Sequence, residues 1–291
     1  MTGRRGEFAG ETASHYAIYR RDVPDVLIEA AVCVAGLTAS DVVVDLGCGT
    51  GQVAVPLSQH VASVLAADPE PDMLTGLRAR LSSIEVVNVL PILAADRDLP
   101  GIATVFGKSV GAVTVGNALH WMDADEVFMQ CRRLFRVGGA LIIISQGPPM
   151  WLSNSAWSRE VRVFLERWTG GPVNAACGTD RAALEERTLR WRRCGYEQTE
   201  VVARAYENAV DLPYIAGHLR SAMSESVLPH GREPEFLAGL NDALYPHLET
   251  GPLIERIEAT ALIAIAHPAP PAGDTPPKCR TGDLGAQRGP V

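Results

Sequence analysis

Short apolar runs alternate with helical patterns over the first half of the chain. Asp22–Val34 carries apolar residues at helical spacing, and Val42–Val44 is a β-branched run followed at once by a glycine-rich turn. The alternation continues with strands predicted at 63–67, 86–93, 112–115 and 140–144 and helices at 52–60, 71–81 and 123–135. Strands alternating with helices predict a mostly parallel sheet with helices on both faces. Pro91 favours an edge position for its strand.

The pattern changes after Gln146. Helical patterns follow at 157–168 and 181–193, strands are predicted at 200–205 and 260–266, and residues 214–248 form helices interrupted by Pro229 and Pro234. We therefore predict a helical cap, about 206–250, inserted before the last strand. The polar residues 1–14 predict a flexible N-terminus. Residues 268–291, of which 10 in 24 are Pro or Gly, predict a disordered tail. The domain then covers 15–267.

Composition and charge exclude several classes of function. The 291 residues are 47% hydrophobic, and 26 Lys+Arg against 34 Asp+Glu give a net charge of −8. Because no basic run is longer than a pair, we expect no nucleic-acid partner. We find no signal peptide and no apolar stretch of membrane-spanning length, so we expect no membrane partner and a cytoplasmic location. The six cysteines are scattered, which indicates free thiols and no metal site.

The strongest chemical signal lies at Val43–Gln52, which reads VVDLGCGTGQ. A buried strand that ends in a glycine turn lets a ligand approach the backbone, and the helix after it offers unpaired N–H groups. The spacing is G-x-G-x-G, whereas a dinucleotide fold requires G-x-G-x-x-G. Asp45, just before the glycines, would repel a pyrophosphate and attract an ammonium or sulfonium group. A nucleotide-dependent reductase is therefore disfavoured.

Over roughly residues 15 to 267, the chain resembles the class I S-adenosylmethionine-dependent methyltransferases. The resemblance is carried by VVVDLGCGTGQ together with the segments HYAIYRRDVP, ADPEPDML, AADRDLP, GNALHWMD and LFRVGGALIII. It implies a Rossmann-like sheet of seven strands with the last one antiparallel. It also implies S-adenosyl-L-methionine as cofactor and S-adenosyl-L-homocysteine as product.

The resemblance also implies roles for the residues that match its motifs. Asp45 should face the methionine ammonium, Asp68 the ribose hydroxyls and Asp96 the adenine, although Asp98 could replace Asp96. Met73 either approaches the adenine or packs in the core, and Cys48 is a small buried residue within the turn. The candidate cofactor-binding residues are Asp45, Gly47, Cys48, Gly49, Gly51, Gln52, Asp68, Pro69, Met73, Asp96, Asn117 and Tyr16.

Four further residues are candidates for catalysis or for binding the substrate. His120 follows the fourth strand, where the reactive sulfonium is expected, and it could accept a proton near neutral pH. His15 is the second candidate base, and it shares a helix face with Tyr19 at i, i+4. Trp121 and Tyr19 are the candidate substrate contacts. Each of the four could instead serve only in packing.

These observations predict methylation of an amine or a hydroxyl of a small molecule. The first candidate acceptor is an amino sugar or aminoglycoside in antibiotic biosynthesis, because a cationic molecule suits the net charge and the acidic cap. The cap acids are Glu225, Glu233, Glu235, Asp242 and Glu249. One alternative is C- or O-methylation of a polyketide or quinone. Another is a methyltransferase-like binding or regulatory protein without turnover.

Overall fold

A computed structural model describes residues 8–173, 181–196, 198–222 and 231–266. It contains a seven-stranded sheet in the spatial order β3-β2-β1-β4-β5-β7-β6. Only β7 runs antiparallel to its neighbours, which confirms the predicted architecture. Pro91 lies in β3 at the edge of the sheet, as predicted. The strands are β1 Val42–Leu46, β2 Ser63–Asp68, β3 Val89–Leu93, β4 Val110–Gly116, β5 Phe135–Gln146, β6 Gln198–Val210 and β7 Leu253–Ile265.

Helices cover both faces of the sheet and form the cap. One core cluster joins the sheet to α2, α3 and α4, and a second joins the opposite face to α5, α6 and the end of α8. None of the described helices is both long and apolar enough to cross a bilayer. The helices are α1 Glu11–Tyr19, α2 Asp25–Val34, α3 Ala54–Leu57, α4 Pro71–Ser83, α5 Leu99–Phe106, α6 Ala124–Leu134, α7 Ala156–Thr169, α8 Arg181–Arg193, α9 Leu212–Ala222 and α10 Glu233–Leu248.

The cap helices α9 and α10 lie between β6 and β7, so the cap is inserted before the last strand, as predicted. The cap begins later than the predicted residue 206, because β6 continues to Val210. The cap core also includes α7, since the rings of Phe164 and Phe236 lie 5.2 Å apart. Pro234 does not interrupt a helix. It occupies the first turn of α10, where its missing N–H has no helical partner. Pro229 lies outside the described residues.

The N-terminal segment is ordered from an earlier residue than predicted. Helix α1 begins at Glu11, inside the segment 1–14 that we expected to be flexible. The backbone N–H of Gly10 donates to Asp72 at 2.7 Å, and the side chains of Thr12 and Ala13 are buried, so this part of the chain is held against α4. Residues 1–7 and the predicted tail 268–291 lie outside the described part of the chain.

Candidate active site

A pocket opens at the carboxyl ends of β1, β4 and β5, the edge where open α/β sheets bind their ligands. Helix α1 and the segment after it cover one side, and the glycine turn after β1 forms another. Six of the twelve candidate cofactor-binding residues line it, together with five that the sequence did not single out. The lining residues are Tyr16, Arg20, Val23, Asp45, Gly47, Cys48, Gln52, Val53, Gly116, Asn117 and Gln146.

The glycine turn is tied to the neighbouring strand. The N–H groups of Gly47 and Cys48 both donate to the carbonyl of Ala67 in β2, at 2.8 and 3.1 Å. Gly47 has φ +70°, and a Cβ built there would lie 2.6 Å from the Cβ of Ala118. No other residue fits without moving the chain after β4. The turn therefore fixes the distance between the ends of β1 and β4.

Asp45 presents a buried carboxylate to this pocket. It is 1% exposed, its Oδ1 accepts a hydrogen bond from Thr114 Oγ1 at 2.7 Å, and its Oδ2 has no hydrogen-bond partner among the described residues. Burial raises the pKa of Asp45 to about 7, the negative charge of Asp68 adds to this, and the Thr114 hydrogen bond opposes it. A carboxylate oxygen left without a partner suits a cationic N–H donor such as the methionine ammonium.

Asp68 ends β2 on the other side of the glycine turn. Its Oδ2 accepts from the N–H of Gly49 at 2.8 Å, and its Oδ1 accepts from the N–H of Glu70 at 2.9 Å. Burial raises the pKa of Asp68. Because each carboxylate oxygen can accept more than one hydrogen bond, the hydrogen bonds to Gly49 and Glu70 fix its orientation and leave acceptor capacity for hydroxyl groups.

Tyr16 of α1 and Arg20, the residue that follows this helix, close the pocket. The Tyr16 ring lies against Gly49, where an added Cβ would approach it to 3.3 Å. The Arg20 guanidinium lies 5.2 Å from the centre of the Tyr16 ring, and its Nε donates to Ser221 Oγ of α9 at 2.8 Å. Arg20 was not among the predicted site residues, although it stands at i, i+4 from Tyr16 in the HYAIYRRDVP segment. It brings a fixed positive charge that suits a carboxylate.

Gln146 is a second pocket residue that the sequence analysis missed. It is the last residue of β5, and its backbone N–H donates to the side chain of Asn117 at 3.2 Å, while the Asn117 amide donates back to Gln146 Oε1 at 3.3 Å. Asn117 itself has φ +50° just after β4. Gln146 lies at the end of a predicted strand, and this position is the sequence signal that could have indicated it as a pocket residue.

The other predicted cofactor residues in and beside the glycine turn have local partners. Gln52 donates through Nε2 to Thr50 Oγ1 at 2.7 Å. Cys48 is buried, and desolvation raises its pKa well above the usual value, so it remains a thiol, in agreement with its predicted packing role. Gly51 packs against Leu77 of α4.

Six predicted cofactor residues are not among the lining residues of this pocket: Gly49, Gly51 and Asp68, described above, and Pro69, Met73 and Asp96. Met73 is buried in α4, and Pro69 is exposed after β2. Asp96 begins a single 3₁₀ turn after β3, and its Oδ2 accepts from the backbone N–H of Asp123 at 3.3 Å. Their roles toward the adenine and ribose remain predictions.

His120 and Trp121 form a 3₁₀ turn with Leu119 after β4, outside the pocket lining. Their rings lie 4.9 Å apart, and the Trp121 ring meets the edge of Phe8 at 5.6 Å. Desolvation, with a smaller effect of the Arg187 charge, lowers the pKa of His120. The imidazole is therefore neutral at pH 7, and its role as a base remains a prediction.

His15 and Tyr19 stack on one face of α1 at a ring distance of 5.9 Å, as their spacing predicts. His15 Nδ1 is hydrogen-bonded to the carbonyl of Glu11 at 2.8 Å. Tyr19 packs on Gly217 of α9 and lies 6.5 Å from the Tyr214 ring. The pair therefore faces the cap, and neither residue lines the pocket. Among the described residues, no group of three or more His, Cys, Asp or Glu side chains could hold a metal ion.

Comparison with known proteins agrees with this geometry. A family model described as a methyltransferase domain matches residues 43–139. An uncharacterised methyltransferase of Mycobacterium bovis is 30% identical over 189 residues, which span 64% of this chain and 69% of the relative. A proposed type II methyltransferase from Anaeromyxobacter dehalogenans has the same fold at 20% identity, with a TM-score of 0.58 over 86% of this chain and 98% of the other. YcgJ from Bacillus subtilis has a TM-score of 0.51 at 14% identity, over 84% of this chain and all of the other.

Proposed function

This chain belongs to the class I S-adenosylmethionine-dependent methyltransferases, and on that premise we propose that it methylates an amine or a hydroxyl of a small molecule. S-adenosylmethionine is its cofactor, and it supplies a methyl group that the sulfonium already activates toward nucleophiles. The protein's task is then to bind the donor, align the acceptor and keep water away from both.

The observation that carries the donor site is the Asp45 carboxylate, which is buried and has one oxygen with no hydrogen-bond partner among the residues that the structure describes. We assign Asp45 to the ammonium of the donor and Arg20 to its carboxylate, because these are the two charged side chains that line the pocket. Asp68 is assigned to the ribose. The glycine turn leaves room for the donor beside the backbone, and the Tyr16 ring covers that turn from α1.

The first candidate acceptor is an amino sugar, modified as a tailoring step in antibiotic biosynthesis. The net charge of −8 supports it, as do the acids on and beside α10, since such a surface steers cations. Glu235 pairs with Arg232 at 2.7 Å, and Asp242 and Glu249 are exposed. Glu225 lies outside the described residues.

Methyl transfer from labelled donor to kanamycin, with the neutral sugar trehalose in parallel, tests this proposal. We expect turnover of kanamycin, and a kcat/KM that falls as NaCl rises from 20 to 500 mM. Equal and salt-insensitive turnover of trehalose would contradict the charge argument. Transfer to neither sugar would contradict this class of acceptor, while donor binding measured by calorimetry would still test the donor site.

A further inference from the structure

A second group of polar and aromatic side chains lies beneath α9, and we call it the α9 cluster. Arg21 Nη1 and Glu255 Oε2 form an ion pair at 3.0 Å, and Glu255 is 7% exposed. The Arg21 guanidinium lies 4.1 Å from the centre of the Tyr214 ring, and that ring lies 5.8 Å from the ring of His218. The cluster consists of Arg21, Tyr206, Tyr214, His218 and Glu255.

The α9 cluster adjoins the donor pocket, and two of the pocket-lining residues, Arg20 and Gln146, connect them. Arg20 hydrogen-bonds to Ser221 on α9, one turn after His218, and its charge acts on the His218 ring. Gln146 lies close enough to Tyr206 to lower the pKa of that hydroxyl, although burial raises it by more. A molecule bound in the α9 cluster would therefore lie beside the donor.

His218 carries a ring nitrogen that is not used within the fold. Its Nδ1 is buried with no hydrogen-bond partner among the described residues. In a neutral imidazole one nitrogen donates and the other accepts, so Nδ1 can form a hydrogen bond with a group that does either. The hydroxyl of Ser221 does not serve the ring, because it donates to the His218 carbonyl at 2.6 Å.

Asn208 adds an unused donor on the same face of the β6–β7 pair. It lies opposite Glu255 across the two strands, and its Nδ2 is buried with no partner in the described part of the chain. The hydroxyl of Tyr206 is also buried with no partner among the described residues. Buried donors and acceptors are almost always satisfied, so these three groups indicate a ligand that accepts from Asn208 and can also donate. A hydroxyl group does both, while an ammonium only donates.

We propose that the α9 cluster is the acceptor subsite and that Nδ1 of His218 forms a hydrogen bond with a hydroxyl of the acceptor. This proposal rests on the proposed function. The charges of Arg21 and Glu255 offset each other, and the remaining walls are the rings of Tyr206, Tyr214 and His218. The subsite therefore fits a cyclic, hydroxyl-bearing molecule, such as the hydroxylated pyranose rings that both kanamycin and trehalose contain. His218 binds and orients the acceptor and does not remove its proton.

The test compares His218→Phe, which removes the hydrogen-bonding nitrogen and keeps a ring, with His218→Asn, which keeps a hydrogen-bonding group near the position of Nδ1. Each is assayed with whichever of kanamycin and trehalose is methylated, and His247→Phe on α10 is the matched control. We expect His218→Phe to raise the KM for the sugar about tenfold with a much smaller change in kcat. We expect His218→Asn to recover most of this loss, and the Kd for S-adenosylmethionine to stay within twofold of wild type.

An unchanged sugar KM in His218→Phe would overturn the proposal. So would equal losses of sugar and donor affinity, or failure of His218→Asn to recover any of the loss although its melting temperature matches wild type. If His218→Phe does not fold, Tyr214→Leu decides, because it removes an aromatic wall of the subsite and keeps His218. It should raise the KM for the sugar, and an unchanged KM would overturn the proposal. If neither sugar is methylated although the donor binds, the proposed acceptor class fails, and the inference fails with it.

Discussion

Asp45 carries a charge that the folded protein leaves largely uncompensated. One oxygen accepts a hydrogen bond from Thr114, and the other has no partner within the described ranges of the chain. Burial raises the carboxyl pKa to about 7 from a usual value of 3.8. The folded state therefore holds this proton more tightly than the unfolded state does. Stability is lost as pH rises from about 4 to about 7, and the loss is constant above that. A role in attracting a cationic ligand would explain why the protein keeps a buried carboxyl group that lowers its stability.

We predict that Asp45→Asn stabilises the unliganded protein and weakens donor binding. The Asn oxygen can still accept from Thr114, while the buried charge disappears, so the free energy of unfolding at pH 8 should rise by roughly 2–4 kcal/mol. Affinity for S-adenosylmethionine should fall at least tenfold. Urea denaturation and calorimetry measure the two effects.

Asp41 provides the matched control, because it is buried at the opposite end of the same strand. It pairs with Arg136, whose hydrogen bond lowers the pKa of Asp41. Asp41→Asn should therefore lose about 1–3 kcal/mol of stability and leave the donor Kd unchanged. If both variants are destabilised alike, Asp45 is a structural residue and the assignment to the ammonium is wrong.

Donor binding should also depend on pH through Asp45. A cation binds the ionised carboxylate, so below about pH 7 binding must first release a proton. We predict that the affinity falls as pH decreases from 7.5 to 5.5, approaching tenfold per pH unit at the acidic end. Calorimetry in buffers of different ionisation enthalpy counts the protons released. Asp45→Asn should flatten the profile, and a wild-type profile without slope would exclude Asp45 as the titrating contact.

The sequence predicts site residues where the chemistry is local. Asp45, Gly47 and Gly49 lie within one strand-turn motif, so their spacing alone indicates that they share a ligand. Arg20 and Gln146 reach the same pocket from α1 and from the end of β5, more than a hundred residues apart. Nothing in either local pattern shows that they meet, and only the sheet topology brings them together.

The contact between α1 and α9 joins the N-terminal segment to the cap. Tyr19 lies flat on Gly217, where a Cβ would come within 2.2 Å of the ring. We predict that Gly217→Ala displaces Tyr19 and lowers stability by about 1–3 kcal/mol, because the clash involves the root of the ring as well as its far edge. Increased hydrogen exchange over residues 11–19, together with the lower stability, measures this effect.

Gly101→Ala is the control for that helix substitution. Gly101 is also a helical glycine, in α5, and an added Cβ there would meet no atom within 4 Å. It should be neutral or stabilising by up to about 1 kcal/mol, since Ala is the better helix former. Equal effects of the two substitutions would mean that helix propensity, and not the Tyr19 contact, determines the result.

Element boundaries differ from prediction where distant contacts or local competition decide them. Strands β6 and β7 are each 13 residues long, well beyond the predicted 200–205 and 260–266, because they pair with each other along their whole length. The helix predicted at 52–60 is regular only over Ala54–Leu57. Beyond it, the Ser58 hydroxyl bonds to the carbonyl of Val55, and the following N–H groups form tighter turns.

At the scale of the whole molecule, periodicity predicts the sheet but not how the cap is built. Alternating strands and helices have few compatible topologies, so the seven-stranded arrangement follows from the pattern. The cap instead depends on apolar contacts between α7 and α10, such as that of Phe164 with Phe236. No local pattern specifies which helices will share a core.

The donor pocket is lined by residues of the N-terminal segment and of the sheet, and Arg20 connects it to the cap. Donor binding should therefore stabilise the N-terminal segment, the sheet edge and the cap together. Tyr16 and Arg20 line the pocket, Arg20 hydrogen-bonds to α9, and Asp45 reaches the pocket from the sheet. We predict that saturating S-adenosylmethionine slows hydrogen exchange over α1 and α9 as well as over the glycine turn. Helix α5 has no residue in the pocket lining, and its exchange should not change. Protection confined to residues 45–53 would show that the donor binds without engaging Arg20.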